Sequence, residues 1–175
     1  ENRQICIFFK FKNKILLVRS VCILKKFKTY FKAILVPLIV GAVIGIIMSG
    51  SIDYESLKQP PLAPPSWLFP IAWTILYILM GVSFGILEVN DVMDSKAKTI
   101  YYIQLGINAL WSIIFFVLKA RLFAFIWILI LDIAVIAFLV VFYKRNKTAG
   151  LLQIPYLLWV LFASYLNLGV YLLNR

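Results

Sequence analysis

The sequence predicts an all-α integral membrane protein built as a five-transmembrane-helix bundle. Of the 175 residues, 63% are hydrophobic and only 14% are charged, whereas soluble chains are about 45–50% apolar and about 25% charged. The mean hydropathy is +0.96. Five apolar runs each reach the roughly 20 residues that a helix needs to cross a bilayer. These observations exclude soluble enzyme folds.

The five predicted spans cover about residues 33–52, 66–88, 99–118, 122–143 and 149–173, with short polar connections between them. The runs are too long and too uniformly apolar for barrel strands. Open sheet edges would leave backbone groups unsatisfied in lipid. Helices are therefore the consistent interpretation of all five.

Residues 1–32 form a basic N-terminal extension that holds nine of the eighteen basic residues and one acid. Its last lysines directly precede the first span, where a positive-inside anchor faces anionic lipid. We expect the extension to be interfacial or disordered, and neither a signal peptide nor a sixth helix. The net charge of +11 thus predicts membrane contact and not nucleic-acid binding. It also favours a cytoplasmic N-terminus and an external C-terminus.

Several kinds of chemistry are absent from the sequence. It has no histidine, and its two cysteines, Cys6 and Cys22, lack metal-like spacing. Imidazole metal ligation, histidine acid–base catalysis and a disulfide framework are not expected. No nucleotide loop, nucleophile elbow or carboxylate pair occurs. We therefore expect no metal and no required cofactor.

A proline-rich loop, residues 57–67, leads into the second span, and five prolines lie between Pro60 and Pro70. Such a stretch is stiff and partly extended. It can cover the end of a helix bundle as a lid. Trp67 is a candidate ligand contact, although an aromatic ring here is equally typical of an interfacial belt.

Aromatic and amide side chains recur at helical spacing on three spans. The stripes are Trp73, Tyr77 and Gly81; Gln104, Asn108, Trp111 and Phe115; and Tyr156, Trp159, Ala163, Asn167 and Tyr171. Helix packing alone often produces such stripes. Amides in hydrocarbon, however, must face the interior and find partners. Flat rings beside a few hydrogen-bonding groups, with no charged pair, favour a large, flat, mostly apolar ligand.

Three weaker features leave alternatives open. Gly41, Gly45 and Ser49 form a small-residue face suited to internal packing or a dimer contact. Asp132 is an intramembrane acid, either functional or satisfied by water or a neighbouring hydroxyl. Leu168, Tyr171 and Arg175 fit a loose sterol-contact pattern that often occurs by chance.

The quoted motifs resemble one known family. They are the proline-rich entry with Trp67, "WTILYILMG" (73–81), "INALWSIIFF" (107–116) and "PYLLWVLFASYLN" (155–167). In this order they look like the TspO/MBR family of tryptophan-rich sensory proteins, related to the mitochondrial translocator protein or peripheral-type benzodiazepine receptor. The resemblance covers about residues 33–175.

The resemblance implies a five-helix bundle, often a homodimer, in a bacterial cell membrane. It implies binding of tetrapyrroles such as protoporphyrin IX and haem, and in some relatives cholesterol or benzodiazepine-type drugs, beneath the first loop. Family pocket positions fall on Asn108, Phe162 and Ala163, and Trp73 and Trp159 match tryptophans linked to light-dependent porphyrin breakdown. One departure is Leu62, where the family usually has tryptophan.

Three functions follow from these residues. The leading prediction is a membrane receptor or sensor that binds a tetrapyrrole between helices. The second is light-dependent porphyrin degradation, with Trp73 and Trp159 as the catalytic candidates. The third is a small transporter of porphyrins, sterols or lipids, with a water-accessible path around Asp132.

Overall fold

The computed structural model describes residues 12–51 and 56–175, with side chains described from residue 23 onward in the first range. Cys6 and the side chain of Cys22 lie outside this part of the chain. Every regular element within it is helical. The helices are α1 (Lys12–Met48), α2 (Leu68–Val89), α3 (Ser95–Ser112), α4 (Arg121–Arg145), α5 (Lys147–Leu151) and α6 (Ile154–Leu173), and a π-helical turn, Ile113–Val117, prolongs α3.

The predicted fold class is confirmed, because five of these helical segments are long and apolar enough to cross a membrane. The spans are Ile23–Met48, Leu68–Val89, Ser95–Val117, Arg121–Arg145 and Lys147–Leu173. The fifth combines α5 and α6, which a short turn separates.

The third span begins at Ser95, earlier than the predicted residue 99, and its cap explains why. The Asp94 carboxylate accepts a hydrogen bond from the Ala97 backbone N–H at 2.8 Å, which satisfies a free donor of the first turn. The prediction excluded Lys96 and Lys98 because they are charged. Lysine stems can lie along apolar surface while the ammonium group reaches the headgroups.

The N-terminal extension is helical over residues 12–32, continuous with the first span. At about 1.5 Å per residue, the 37 residues of α1 exceed the roughly 30 Å hydrocarbon core. Its placement at the membrane surface stays a prediction. Residues 1–11 lie outside the described part.

Close packing of α1 on α2 depends on glycine. A Cβ at Gly81 would overlap the Ile34 Cα, and one at Gly41 would overlap the Tyr77 ring. Gly41 therefore serves packing within the chain, one of the two alternatives for the small-residue face. A Cβ added at Gly45, on the same face, would have no atom within 4 Å. A dimer contact at Gly45 stays a prediction.

The other helices pack around α4, which contacts α3, α5 and α6. The centre of this group is fully buried and includes Leu131, Val135, Phe138 and Phe142. Helices α2 and α6 are not among the closely packed pairs. The space between them is bridged by large side chains, and these form the candidate site.

The two ends of the bundle differ in charge. One end, called here the basic end, carries Lys25, Lys26, Lys28, Lys32, Lys96, Lys98, Lys144, Arg145 and Lys147. The opposite end carries residues 57–67 and is called the proline-loop end. At the basic end Arg145 forms a two-pronged ion pair with Asp94, with its Nε 3.1 Å from Oδ1. This pair joins the start of α3 to the end of α4.

Candidate ligand-binding site

A chain of hydrogen bonds in the membrane interior links α2, α3 and α6. The Tyr77 hydroxyl donates to Asn108 Oδ1 at 3.3 Å, and Asn108 Nδ2 donates to the Tyr156 hydroxyl at 2.9 Å. The Tyr156 hydroxyl in turn donates to Gln104 Oε1 at 2.9 Å. All four side chains are buried. Residues from three predicted stripes therefore meet in one polar cluster.

The cluster follows from the sequence spacing on α3. Gln104 and Asn108 are four residues apart, so they lie one turn apart on the same helix face. Gln104 Nε2 has no hydrogen-bond partner in the part of the chain described here. An unmade hydrogen bond of a buried group is costly. The cluster thus holds a spare donor that a ligand acceptor would satisfy.

Aromatic rings occupy the space between α2 and α6. Trp73 packs on Tyr77, with ring centroids 5.5 Å apart, and meets Tyr156 edge-on at 6.2 Å. Closer to the proline-loop end, Trp159 contacts Phe69 and Phe162, each at 6.0 Å. Rings of α2 and α6 thus meet in two groups, one turn of α2 apart, and the two groups together are called here the aromatic wall.

Exposure divides this wall into two parts. Tyr77 and Tyr156 are buried, whereas Trp73, Trp159 and Phe162 are half-buried. The Trp159 indole N–H has no partner among the described residues. The half-buried tryptophans therefore present ring surface, and Trp159 adds an enclosed indole N–H that lacks a partner.

The proline-rich loop is fastened to α6 next to this wall. Asn174 bonds the backbone of Lys58 twice, accepting from its N–H at 3.0 Å and donating to its carbonyl at 2.9 Å. The Tyr165 hydroxyl donates to the Pro61 carbonyl at 2.8 Å. The Pro60 ring fills the space above Gly169, where a Cβ would lie 2.5 Å away. The loop is held over the C-terminal half of α6, as a lid would be.

Trp111 and Asn167 belong to a second polar contact, near the proline-loop end. With the Asn167 amide oriented to satisfy both of its groups, its oxygen accepts from Trp111 Nε1 at 3.0 Å. Its nitrogen donates to the Arg121 carbonyl at 3.1 Å. Trp111 also stacks on Phe115 at 5.6 Å. This contact joins α3, α4 and α6, and it uses the indole N–H that a ligand would otherwise meet.

The remaining predicted residues are distributed more widely. Ala163 is buried one turn before Asn167 on α6. Trp67 is 63% exposed, and no ring contact among residues 56–175 places it in the aromatic wall. Leu62, at the family's tryptophan position, is 83% exposed and has a positive φ of 67°. Neither Trp67 nor Leu62 is therefore brought to the site described here.

The sterol-contact residues lie at the end of α6. Leu168 and Tyr171 are half-buried and Arg175 is exposed. Tyr171 and Arg175 help to line an open groove of about 650 Å³ beside Lys119 and Arg121. Sterol binding there stays a prediction.

Asp132 is buried at the contact between α4 and α6. The Ser164 hydroxyl donates to its Oδ2 at 2.8 Å, while Oδ1 has no partner within the described residues. A neighbouring hydroxyl thus satisfies one of the two carboxyl oxygens, as one of the predicted alternatives requires. A water path around Asp132 stays a prediction.

Three residues of the site were missed by sequence reasoning. Phe69 and Tyr165 lie on helix faces next to the predicted stripes, and Asn174 lies just past the last span. The sequence did contain a signal for one of them. Phe162, Tyr165 and Gly169 are spaced three and four residues apart, which places Tyr165 on one helix face with a predicted site residue. A stiff loop also requires a partner. The loop's docking, however, joins residues more than 100 positions apart.

The fold and site define a multi-pass membrane protein with an aromatic, amide-containing interior beneath a docked loop. A sequence profile of the TspO/MBR family matches residues 33–173. The chain belongs to this family.

Three relatives illustrate the range of the similarity. The chain is 48% identical over 122 residues to the tryptophan-rich protein TspO of Archaeoglobus fulgidus, covering 69% of this chain and 79% of the relative. It is 34% identical over 134 residues to the tryptophan-rich sensory protein of Cereibacter sphaeroides, covering 76% and 84%. It is 31% identical over 122 residues to the human translocator protein, covering 67% and 72%. Relatives thus carry the names of sensory and of translocator proteins.

Proposed function

We propose that the chain is a membrane receptor that binds a tetrapyrrole, such as protoporphyrin IX or haem, between α2 and α6. The observation that carries the proposal is the aromatic wall of Trp73, Tyr156, Phe69 and Trp159 beside a buried cluster with a spare amide donor. Ligand sites are mostly apolar with a few placed polar groups. A flat macrocycle matches that combination.

The two parts of the site have different tasks in this proposal. The half-buried rings of Trp73 and Trp159 provide flat surface on which a macrocycle stacks. Gln104 Nε2 and Trp159 Nε1 provide hydrogen-bond donors for its polar edge. No acid of the described residues lies in the wall, so an anionic substituent meets no like charge there.

The docked proline-rich loop supports a sensing role. Because Asn174, Tyr165 and Gly169 hold the loop on α6, a ligand that enters between α2 and α6 displaces or tightens these contacts. The names of the relatives as sensory and translocator proteins support the same class of role for this chain.

Binding is tested by titrating protoporphyrin IX into the purified protein and following the porphyrin absorption band. The wild type is expected to saturate. Trp73→Leu combined with Trp159→Leu keeps the apolar character but removes two ring faces, each worth about 0.5–1.5 kcal/mol. We expect affinity to fall about tenfold. Trp67→Leu, at the exposed tryptophan outside the wall, is the matched control and should change it less than twofold.

The two outcomes that contradict the proposal are separable. Lack of saturable binding by the wild type rejects the ligand class. Saturable binding that is equal in the double variant and the Trp67→Leu control rejects the residues of the site.

A second candidate function is light-dependent breakdown of the bound porphyrin, with dioxygen as the oxidant. The observation in its favour is that Trp73 and Trp159, both oxidisable, flank the same space and remain half-buried. Illumination of the complex should bleach the porphyrin band while a dark sample keeps it. Trp73→Phe with Trp159→Phe should abolish bleaching. Equal bleaching by free tryptophan would make the activity incidental.

A further inference from the structure

A second cavity lies at the basic end, on the other side of the bundle from the proline-rich loop. It is a groove of about 360 Å³ between α1, α2 and α3. Ala33, Val36 and Phe84 form apolar wall, and Lys32 and Lys98 line it as well. The groove thus combines an apolar surface with two cationic side chains at the level where the helices leave the hydrocarbon.

The charges of the groove are only partly neutralised from within. Glu88 also lines it and pairs with Lys98 at 3.0 Å. Lys32 is exposed and has no ion pair in the described part of the chain. Lys25 lies on the same face of α1, two turns before Lys32. The mouth of the groove therefore has a net positive charge.

A buried hydroxyl group in the groove wall also lacks a hydrogen-bond partner in the described part of the chain. Tyr101 forms part of the groove wall, is 1% exposed, and its hydroxyl has no hydrogen-bond partner among the described residues. Buried hydroxyls normally find a partner. The hydroxyl is itself enclosed, so it becomes a third donor, beside the two lysines, only when side chains of the wall move to admit a headgroup.

The apolar wall continues along the outside of α1. Val36, Ile39 and Val43 follow at helical spacing from Lys32 and are 38%, 51% and 49% exposed. This stripe is continuous with the groove and faces away from the bundle. An acyl chain can lie along it while the polar group to which it is attached stays between the lysines.

From this arrangement we infer that the groove binds an anionic phospholipid. The phosphate lies between Lys32 and Lys98, Tyr101 supplies a hydrogen bond, and the acyl chain follows the α1 stripe. Basic pockets between transmembrane helices at the cytoplasmic side bind anionic headgroups in this way. The site uses none of the residues assigned to tetrapyrrole binding.

The test is native mass spectrometry of the full chain in detergent, titrated with phosphatidylglycerol or phosphatidylcholine carrying identical acyl chains. The wild type should prefer phosphatidylglycerol. A lysine near an anionic headgroup contributes about a fivefold gain, or roughly 1 kcal/mol. Lys32→Gln with Lys98→Gln should therefore lower phosphatidylglycerol affinity at least tenfold and leave phosphatidylcholine unchanged. Tyr101→Phe should lower it severalfold.

Two further variants separate a site from general charge attraction. Glu88→Gln removes the one acid of the groove and releases Lys98, so it should raise phosphatidylglycerol affinity. Lys144→Gln with Lys147→Gln removes the same charge from the same end outside the groove, so it should change affinity less than twofold.

Four results overturn the inference. The first is a wild type with no preference for phosphatidylglycerol, and the second is an equal loss of phosphatidylglycerol affinity in the groove and control double variants. The third is weaker phosphatidylglycerol binding by Glu88→Gln. The fourth is unchanged phosphatidylglycerol binding in both Tyr101→Phe and the groove double variant. Displacement of the lipid by millimolar glycerol phosphate would instead assign the groove to a soluble phosphate compound.

Discussion

At the scale of single residues, one hydroxyl group of α6 holds two amide side chains of α3. The Tyr156 hydroxyl accepts from Asn108 Nδ2 and donates to Gln104 Oε1, both at 2.9 Å. No water is available in the hydrocarbon to replace a lost partner. The stability of this cluster therefore depends on side-chain pairs alone.

Tyr156→Phe keeps the ring and removes the hydroxyl, which leaves Asn108 Nδ2 and Gln104 Oε1 unpaired. Leaving buried polar groups unsatisfied costs about 1–3 kcal/mol. We expect the free energy of unfolding in detergent to fall by that amount. Tyr102→Phe, at an exposed tyrosine, is the control and should stay within about 0.5 kcal/mol. Equal effects of the two substitutions would mean that the hydrogen-bond chain does not stabilise the fold.

A second residue-scale prediction concerns Asp94 at the basic end. The Arg145 guanidinium, which donates to the carboxylate, and then the Ala97 backbone N–H hold the pKa of Asp94 below its usual value. A carboxyl group whose pKa is lower in the folded state stabilises the fold above its unfolded pKa, about 3.9. This contribution is lost as the pH falls through the lower folded-state pKa.

In Asp94→Asn, stability should therefore depend less on pH in the acidic range. Asparagine retains the helix cap but cannot form the ion pair with Arg145. Melting temperatures measured from pH 6 to pH 3 should fall less in the variant than in the wild type. Asp91→Asn, in the same connection, should leave the wild-type profile in place. A profile for Asp94→Asn that is as steep as the wild type's would show that the ion pair has no role in acid stability.

At the scale of the helices, the contact between α1 and α2 is set by backbone approach. Gly81 on α2 lies against the backbone of Ile34, which cannot rotate away as a side chain could. Gly45 on α1 faces open space. Of these two glycines, only Gly81 is required for packing within the described part of the chain.

Gly81→Ala and Gly45→Ala form a matched pair. The methyl group at position 81 must push the helices apart, and overpacking costs about 1–3 kcal/mol. The methyl group at position 45 meets nothing, and alanine in a helix is favoured over glycine by about 0.5–1 kcal/mol. Thermal unfolding should show a lower melting temperature for Gly81→Ala and an equal or higher one for Gly45→Ala. The opposite order would contradict the α1–α2 contact described here.

At the scale of the whole molecule, the spans and the interior were predictable for different reasons. The spans follow from the length of apolar runs. Tyr77 and Tyr156 could be selected because they recur with other aromatic residues at helical spacing. Asn108 could be selected because an amide in hydrocarbon must find a partner on another helix. The loop contacts of Tyr165 and Asn174 could not be predicted, because the tertiary path of the chain determines which loop carbonyls they meet. Asp94 shows the same limit, since its cap sets the start of α3.

The orientation of the bundle in the membrane is the whole-molecule consequence of its charge distribution. Among the residues whose side chains the structure describes, nine lysines and arginines lie at the basic end, against Lys58, Lys119, Arg121 and Arg175 at the other. Because basic residues are retained in the cytoplasm, we expect the basic end to face it. The lysines that line the proposed lipid groove would then face the leaflet that holds anionic lipid.

A cysteine-free variant, made with Cys6→Ser and Cys22→Ser, allows this orientation to be measured. Leu62→Cys places a thiol at an exposed position of the proline-rich loop, and Asn90→Cys places one at an exposed position of the basic end. In intact cells a membrane-impermeant maleimide should label position 62 and should reach position 90 only after permeabilisation. Labelling of position 90 alone in intact cells would show that the bundle has the opposite orientation in the membrane. In that orientation the groove lysines would lie at the outer leaflet. The enrichment of anionic lipid in the cytoplasmic leaflet would then no longer favour an anionic ligand for the groove.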